Sequence, residues 1–519
     1  MNRGVRTVRR WEREEGLPVH RHVHRVGGSV YAFKSEIDVW RSTGTRLTAP
    51  APAQATSIVV LPFTNLSTDP ENAYFADGLT EEVIADLSKV RSLRVISRTS
   101  SMTFKNTSIS VKGIARELNV RYVLEGSVRR AEGQLRITAQ LIDATADDHV
   151  WSERYDGTIE DVFAMQARLA RVIVDALKLR LTPDEDRRLA ERPISNLHAY
   201  ECYLRARQEG WRWRKDAIDH AIQLLHNGLA IVGENAGLYA ALGLAHLQYR
   251  EAGIDFSDGP LDEAEMSARK VFALEPASAA GLQLRGWIHY ARGRIQEAVY
   301  DLKAAREIDA NNADTLLLLI NCYLISGKVP VARPLIDVLL AVDPLTPLSR
   351  CVTGWADVLE GNFGAALAPY QQMSDMDPGN PLARLFFVWV LALNRRSEAI
   401  DAVVKAFPHE LKDTVPARLA RFLAQALAGN RRAASAAVTP VLETAASATD
   451  VFARMLAQGY ALNGDSERAL DWLAIAVDRG FINYPFLTQY DPFFEGLRSH
   501  PRFQRIMKTV HERWDRFEP

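Results

Sequence analysis

The sequence predicts a multidomain, mainly α protein, in which an α/β sandwich domain is followed by an all-α solenoid, with a small basic segment at the N-terminus. Three observations lead to this fold class. Gly293, Gly327 and Gly361 lie 34 residues apart in the second half of the chain, which indicates a helical repeat. Residues 58–181 mix period-two and period-3.6 hydrophobic patterns. Residues 1–50 contain ten Lys or Arg against five Asp or Glu.

Composition limits the class of protein to which the chain can belong. At 519 residues it is long enough for several domains, and its 47% of hydrophobic residues support ordinary packed cores. The 63 Lys and Arg nearly balance the 64 Asp and Glu, so the whole molecule has no strong field toward nucleic acid or membrane. The sequence opens without an apolar signal region, and its longest apolar stretch, residues 316–325, is far shorter than the ~20 residues of a membrane span. We therefore expect a cytoplasmic protein.

The sequence predicts no catalytic, metal or cofactor site. Cys202, Cys322 and Cys351 are too few and too scattered for a disulfide framework or a zinc site, and each lies in a helical pattern as a small buried residue. The middle region has no nucleophile elbow and no phosphate-binding glycine loop. Asp77 to Glu82 begin a helix, where carboxylates interact favourably with the dipole, so we interpret this stretch as a cap. We predict that the protein is not an enzyme.

Five segments follow one another along the chain. They are a basic segment with aromatic residues (1–45), an Ala/Pro linker (46–56), an α/β domain (57–190), helical repeats (196–483) and a C-terminal helical cap (484–519). The α/β domain is predicted to have the order β-α-β-α-β-β-α, from a strand at Ile58 to an amphipathic helix ending near Leu181. A hairpin is expected at Glu132-Gly133.

Each repeat is predicted to contain two helices, and residue types that recur at fixed spacing within the chain explain its shape. Glycine makes the turn after the first helix, and alanine lets two helices cross closely. The 34-residue columns comprise Gly293, Gly327, Gly361 and Gly429; Ala298, Ala332 and Ala366; and Asp309, Asp343 and Asp377. We expect regular units to begin near Ala279, Ala313, Pro347, Pro381, Val415 and Asp450, after two looser units at Asn196 and Ala236. The unit at Pro381 has Arg395 at the glycine position.

These columns resemble the tetratricopeptide repeat, and the last full unit matches it with Tyr460, Gly464, Ala469 and Ala476. The resemblance implies a protein-binding solenoid in which position nine of each first helix faces the concave groove. Four successive units place at this position Trp287, Asn321, Trp355 and Trp389. Large aromatic side chains are favoured binding anchors because they bury much area at low entropic cost. The alternative is that these tryptophans pack between neighbouring helices.

The chemistry of the expected ligand follows from position five of the same units. That position is occupied by Gln283, Leu317, Cys351 and Leu385. The Lys/Asn pairs with which some tetratricopeptide domains hold a C-terminal carboxylate are therefore missing. We expect the groove to bind an apolar or mixed segment of a partner protein or peptide, or another part of this chain.

The middle region resembles the TolB-like N-terminal domain that precedes tetratricopeptide arrays in bacterial regulators. The residues that carry this resemblance are IVVLPFTNLS, YFADGLTEEVIADLSKV, LRVISRTSS, VRYVLEGSVRR and QLRITAQLIDA, followed by VWSERYDG. Such arrays also occur in proteins built around adenylate/guanylate cyclase or CadC-like DNA-binding domains. The resemblance implies a regulatory protein and brings no catalytic residues with it.

The N-terminal segment resembles the second half of a MerR- or excisionase-like winged helix. Residues 5–12 resemble its recognition helix, residues 28–33 the returning wing strand, and residues 35–40 the following helix. The resemblance implies contacts with DNA phosphates and guanine edges from Arg6, Thr7, Arg9, Arg10, Arg13, Arg21 and Arg25. A homodimer would follow for a sequence-specific site. A solvated basic helix that binds no DNA is the open alternative.

Three histidines at alternate positions lie beside this segment. His20, His22 and His24 would share one side of a strand, but no carboxylate or cysteine set accompanies them at ligand spacing. Contact with DNA phosphates, or exposure to solvent, is therefore favoured over metal binding.

Together these patterns predict a regulatory scaffold that binds partner proteins through a repeat groove and is coupled to DNA binding by its N-terminal segment. Two other functions remain open. One is a pure protein-interaction scaffold without DNA binding. The other is an accessory component of a cyclase-type signalling system, which rests on domain architecture alone.

Overall fold

The computed structural model describes residues 20–23, 28–31, 56–69, 72–191 and 194–519. The chain divides into two compact units, Met1–Ala55 and Thr56–Pro519. In the first unit, strand β1 (His20–Val23) pairs antiparallel with strand β2 (Gly28–Tyr31). Among the described residues, no helix is both long enough and apolar enough to cross a bilayer.

A mixed sheet forms the centre of the α/β domain that opens the second unit. Its strands are β3 (Thr56–Val60), β4 (Thr64–Asn65), β5 (Leu93–Val95), β6 (Tyr122–Ala131), β7 (Gln134–Asp143) and β8 (Asp148–Thr158). The order across the sheet is β5-β3-β6-β7-β8, and the short β4 also pairs with β6. Strand β3 runs parallel to β5 and β6, whereas β6, β7 and β8 form an antiparallel meander. Glu132 and Gly133 make the β6–β7 turn with φ values of 50° and 75°, as the hairpin signal predicted.

Helices cover both faces of the sheet near its parallel half. They are α1 (Ala73–Ser88), α2 (Arg98–Met102), α3 (Val111–Glu117), α4 (Val162–Ala176) and α5 (Pro183–Ala190). Leu79 of α1 and Ile173 of α4 belong to the core on one face, and Ile114 of α3 belongs to the core on the other. This arrangement gives the parallel strands the buried environment that they require.

Strand β8 is an element that the hydrophobic pattern did not predict. It is the edge strand opposite β5, and Tyr155 is its buried residue, while its other side chains are exposed or half-buried. An edge strand with polar side chains toward both faces gives only a weak period-two signal. The predicted two-stranded hairpin is therefore a three-stranded meander.

The rest of the second unit is a solenoid of paired helices. In chain order the pairs are α6 (Leu197–Gly210) with α7 (Lys215–Val232), α8 (Ala236–Glu251) with α9 (Gly259–Leu274), α10 (Ala279–Ala291) with α11 (Ile295–Ile308), α12 (Ala313–Ile325) with α13 (Val329–Val342), α14 (Pro347–Leu359) with α15 (Leu367–Met376), α16 (Pro381–Leu393) with α17 (Ser397–Lys405), α18 (Val415–Leu427) with α19 (Arg431–Ala437), and, after a short extra helix α20 (Pro440–Ala448), α21 (Asp450–Leu462) with α22 (Ser466–Asp478). Asn196 and Asn235 cap the first helices of the two loose units.

The turn inside each regular unit has a left-handed residue at the glycine column. Gly293, Gly327 and Gly361 have φ values of 74°, 69° and 83°. Arg395 occupies the same column with a φ of 56°, a conformation that costs a residue with a Cβ more than it costs glycine. The column thus marks a backbone requirement that the degenerate unit meets at some cost.

The C-terminal strap, which we define as residues 479–519, runs back along these turns instead of ending the array alone. A Cβ added at Gly293 would lie 2.9 Å from the Arg479 carbonyl carbon, and one added at Gly361 would lie 2.7 Å from the Tyr490 ring. Asn483 donates its side-chain amide to the Leu324 carbonyl at 2.9 Å. The last helix, α23 (Pro501–Arg516), also packs on α22, where Arg502 pairs with Glu467 and Asp471. Residues 484–519 therefore contact the last unit, as a cap does, and several earlier units as well.

Candidate partner-binding groove

The four residues at position nine lie on first helices of consecutive units but differ in exposure. Trp389 on α16 is only 1% exposed. Trp287 on α10, Asn321 on α12 and Trp355 on α14 are partly exposed. The concave face is therefore closed at the α16 unit and accessible at the three units before it.

Helix α21 fills the groove in front of Trp389. The Trp389 indole N–H donates to the Gln458 Oε1 atom at 2.9 Å, and the Arg454 guanidinium lies 4.8 Å from the Trp389 ring centroid. Arg454 and Gln458 are positions five and nine of the last unit, so its groove-facing residues meet those of the α16 unit. At this end the groove binds another part of the chain, as the sequence analysis had allowed.

Buried charges surround this internal contact. Arg454 is 1% exposed, and its Nε and Nη1 atoms have no hydrogen-bond partner among the described residues. Gln458 donates to Asp491 at 2.7 Å. Burial raises the pKa of the Asp450 carboxyl to about 6, against the opposing charge of Arg454, and burial likewise raises that of Asp491 to about 6. These two carboxyls therefore favour the neutral form more than an exposed aspartate does.

The accessible half of the groove has aromatic and polar walls. The Trp287 indole N–H donates to the Glu251 Oε1 atom at 3.3 Å. The Trp355 Nε1 atom is buried and has no hydrogen-bond partner among the described residues. Leu317, at position five of the unit between them, is partly exposed. This half therefore presents partly exposed aromatic rings to a ligand, while the Trp355 indole N–H is shielded from solvent.

Two carboxylates lie in this accessible half and reach solvent. Burial raises the pKa of Glu251, against the hydrogen bond from Trp287 that lowers it. Burial also raises the pKa of Asp314, at position two of α12, and the nearby carboxylate of Asp343 adds to this shift. Both side chains are exposed, yet enough protein surrounds them to weaken their hydration. The groove is thus acidic and partly desolvated.

The α/β domain is fixed to the solenoid at the turn that follows α13. Asp343 is buried and accepts hydrogen bonds from the hydroxyls of Ser97, Ser100 at 2.8 Å and Ser349 at 2.5 Å. The Ser97 backbone N–H also donates to the Val342 carbonyl at 2.7 Å. A carboxylate with this many donors is well satisfied, so the contact orients the α/β domain.

The α/β domain also contacts the preceding repeat at equivalent backbone carbonyls, through different donors. Arg91 and Arg94 donate to the carbonyls of Glu307 and Ala341, which are 34 residues apart. Arg188 donates to the Ile308 carbonyl at 2.9 Å, the equivalent of Val342. These carbonyls end α11 and α13, where cations are favoured by the helix dipole. Side chains on and beside strand β5 therefore reach equivalent carbonyls of two consecutive repeats. The array covers this edge of the sheet.

The α/β domain and the C-terminal strap lie at opposite edges of the groove. The α/β domain contacts the turns between units, and it also pairs with α6 through Glu81 and Arg207. The strap contacts the turns within units, which lie at the other ends of the first helices. Among the described residues, the candidate site is the part of the groove between them, where Trp287, Asn321 and Trp355 are partly exposed. The repeat pattern did not predict this restriction of the groove, because the recurrence of Asp309 and Asp343 does not indicate which residues they contact.

Other sequence-predicted residues lie outside this groove or outside the described residues. Arg21 lies on β1, where only the backbone is described. The remaining candidate DNA contacts lie outside the described residues: Arg6, Thr7, Arg9, Arg10, Arg13 and Arg25. Within the described ranges, no group of three or more His, Cys, Asp or Glu is placed to hold a metal ion. Cys322 and Cys351 are buried in the helical core and Cys202 is half-buried.

Comparisons with known families match two parts of the chain. Residues 53–172 match the second domain of HilA/YgeH-like transcriptional regulators, and residues 289–348 match the tetratricopeptide repeat. A putative adenylate cyclase from Rhizobium meliloti (strain 1021) is 46% identical over 191 residues, which are 37% of this chain and 32% of that protein. The chain thus spans about a third of the length of this curated relative.

Solved structures with partial similarity include two repeat proteins and TolB. A tetratricopeptide repeat protein from Parabacteroides merdae is 13% identical, with a TM-score of 0.34, over 53% of this chain and 99% of that one. A thermophilic one from Thermus thermophilus is 18% identical, with a TM-score of 0.31, over 37% and 98%. TolB from Acinetobacter baumannii is 21% identical, with a TM-score of 0.19, over 25% and 30%. The family match at residues 289–348, together with the paired helices and their 34-residue columns, shows that the chain carries tetratricopeptide repeats behind an α/β domain.

Proposed function

We propose that the protein is a regulatory scaffold that binds a segment of a partner protein in the accessible half of its groove. The observation that carries this proposal is the contrast at position nine: Trp389 is covered by the chain itself, whereas Trp287, Asn321 and Trp355 are partly exposed. Large side chains on a concave face, flanked by polar groups, are typical of sites where a few residues supply most of the binding energy.

The α/β domain would make this binding regulatory. It is TolB-like in the interpretation of its sequence, and residues 53–172 match a domain of transcriptional regulators, which supports a role in regulation. Its contacts with two consecutive units would couple it to any change in the superhelix when the groove is filled. In the full proposal the N-terminal arginines contact DNA as part of a homodimer, and DNA affinity would then fall steeply with salt.

A second candidate is an accessory role in a cyclase-type signalling system. The relative of 46% identity named as a putative adenylate cyclase favours it. The two candidates differ in their effect on a purified bacterial adenylate cyclase: an accessory component should change the rate of cyclic AMP formation when it is added, whereas a scaffold for other partners should leave that rate unchanged. Cyclic AMP formed from ATP and divalent metal by the purified chain alone would contradict both non-enzymatic candidates.

Panning of a displayed peptide library against the full chain tests the groove directly. Selected peptides should bind the wild-type protein and lose about tenfold or more in affinity to Trp287→Ala and Trp355→Ala, because anchor truncation commonly costs more than ~1 kcal/mol. Trp213→Phe is the matched control, since Trp213 is 43% exposed in the α6–α7 turn, away from position nine. Peptides that bind all variants equally, or a library that yields no binder, would contradict the proposal.

A further inference from the structure

The filled end of the groove shows what a tryptophan at position nine binds. There the Trp389 ring carries the Arg454 guanidinium on its face, and its indole N–H is satisfied by a side-chain carbonyl oxygen. Both groups come from one face of α21, at positions 454 and 458, one helical turn apart. A cation on an indole face is a favourable electrostatic contact, stronger when it is shielded from water.

The two tryptophans of the accessible half occupy the equivalent position without such a ligand. Among the described residues, no Lys or Arg lies over the ring of Trp287 or Trp355, although cations do lie over Trp211, Trp389 and Trp514. The Trp355 N–H is buried and unpartnered, whereas the Trp389 N–H has its acceptor. By repeat equivalence, Trp355 lacks both groups that Trp389 receives from α21.

Charge in the accessible half favours the same ligand chemistry. Glu251 and Asp314 are exposed there, and neither forms an ion pair with a Lys, Arg or His in the described part of the chain. A cationic side chain entering the groove would therefore meet carboxylates that no direct ion pair neutralises, with Arg250 and Arg207 acting on them only as nearby charges. An anionic or purely apolar segment would leave these carboxylates desolvated and unpaired, which costs free energy.

We infer that the accessible half of the groove binds an arginine-bearing segment of its partner protein, with a guanidinium on the partly exposed Trp355 ring. This inference rests on the proposed function and names the chemistry of the partner. Arginine fits better than lysine because its planar guanidinium stacks on an indole and sheds water more readily. The segment reproduces the cation–ring contact that Arg454 of α21 makes with Trp389.

The probe is a short fluorescein-labelled peptide in which arginines alternate with glutamine and alanine, measured by anisotropy against the full chain. Matched peptides replace each arginine with lysine or with citrulline, which keeps the planar shape and removes the charge. We expect the citrulline peptide to bind about tenfold more weakly than the arginine peptide, and the lysine peptide to lie between them.

Protein variants locate the contact. Trp355→Ala should weaken binding of the arginine peptide about tenfold, and Trp355→Phe about threefold, because phenylalanine keeps a ring but attracts a cation less strongly than an indole does. Trp213→Phe should leave affinity unchanged. Thermal unfolding of each variant separates loss of binding from loss of folding, and Trp355→Phe retains most of the side-chain volume if Trp355→Ala proves unstable.

The outcomes distinguish this inference from the proposed function. Equal binding of the arginine and citrulline peptides, or binding unaffected by Trp355→Ala and Trp355→Phe, overturns the arginine contact. If library-selected peptides still depend on Trp287 and Trp355 but carry no cation, the scaffold proposal stands and the arginine inference fails. If no peptide depends on either tryptophan, both fail.

Discussion

The filled and accessible halves of the groove use the same position of the repeat for different purposes. Trp389 and Trp355 are both position-nine tryptophans on neighbouring first helices, yet one is a core residue and the other is partly exposed. The difference arises from what lies opposite. Helix α21 crosses in front of the α16 unit and supplies Arg454 and Gln458, whereas no described helix makes that contact with Trp355. The position in the repeat thus determines which face of the array a side chain occupies. Whether another helix of the chain lies opposite determines whether that side chain is buried or left partly exposed for a ligand.

The largest expected effect is on folding stability at the filled end. Trp389→Ala should lower the free energy of unfolding by about 3–5 kcal/mol, because it opens a cavity and leaves the Gln458 Oε1 atom without its hydrogen-bond donor. Trp355→Ala, its repeat equivalent, should cost about 1 kcal/mol. Urea denaturation followed by circular dichroism measures both. Equal losses at the two positions would contradict the division of the groove.

Removal of the buried guanidinium should destabilise the same end in a pH-dependent way. Arg454→Met leaves Asp450 and Asp491 without the cation that lowers their pKa values, so both bind protons more tightly. At pH 5 they are neutral and the loss is small, whereas at pH 8 we expect about 3 kcal/mol. Arg502→Met breaks an exposed pair and should cost less than about 1 kcal/mol at either pH. A loss that does not grow with pH would show that these carboxyls do not depend on Arg454.

The domain contact gives a comparison within one column of the repeat. Asp343→Ala should cost about 2–3 kcal/mol, because it leaves the hydroxyls of Ser97, Ser100 and Ser349 buried without their acceptor. Asp377, one repeat later, accepts a hydrogen bond from Asn380 and none from a described residue of the α/β domain, so Asp377→Ala should change stability by about 0.5 kcal/mol. Hydrogen exchange should also increase in α2 for Asp343→Ala alone. Matching effects for the two aspartates would mean that the column serves the helix turn and not the domain contact.

The smallest effect is a change in pH dependence. The folded-state pKa of Asp450 is about 6, above its ordinary value of 3.8, so the folded protein binds the proton more tightly than the unfolded chain. This group's contribution to stability is therefore greatest below about pH 4 and is lost as pH rises to about 6. The loss of folding stability as pH rises should be about 1 kcal/mol smaller in Asp450→Asn than in the wild type. Asp314→Asn, in the accessible half, should reduce this loss by less. Denaturation midpoints at pH 4, 5, 6 and 7 measure the slope, and a steeper decline in Asp450→Asn would contradict the sign.

The sequence predicted the repeat architecture well because its columns have local physical causes. First helices begin at Ala279, Ala313, Pro347, Pro381, Val415 and Asp450, where the spacing placed the units. Left-handed turns and close helix crossings depend on single residue types, which are visible in a sequence. Strand β8 was not predicted because polar and apolar residues need not alternate along an edge strand.

The sequence predicted the residues of the groove but not the elements that cover it, and the reason is different. Position nine identified the residues on the concave face, but neither α21 in front of Trp389 nor the α/β domain on Asp343 follows from any local pattern. These are contacts between residues 69 and 243 positions apart, formed when the superhelix closes. Arg454 and Gln458 were detectable in principle, since they are the groove-facing positions of the last unit and are polar in an otherwise apolar helix.

Hydrogen exchange of the full chain, with and without a library-selected peptide, tests the division of the groove most directly. We expect new protection in α10, α12 and α14, at residues 279–291, 313–325 and 347–359, and no change in α16, which is already covered by α21. Protection confined to the β-sheet, or to α16 and α21, would contradict the claim that the units around Trp287 and Trp355 form the binding site.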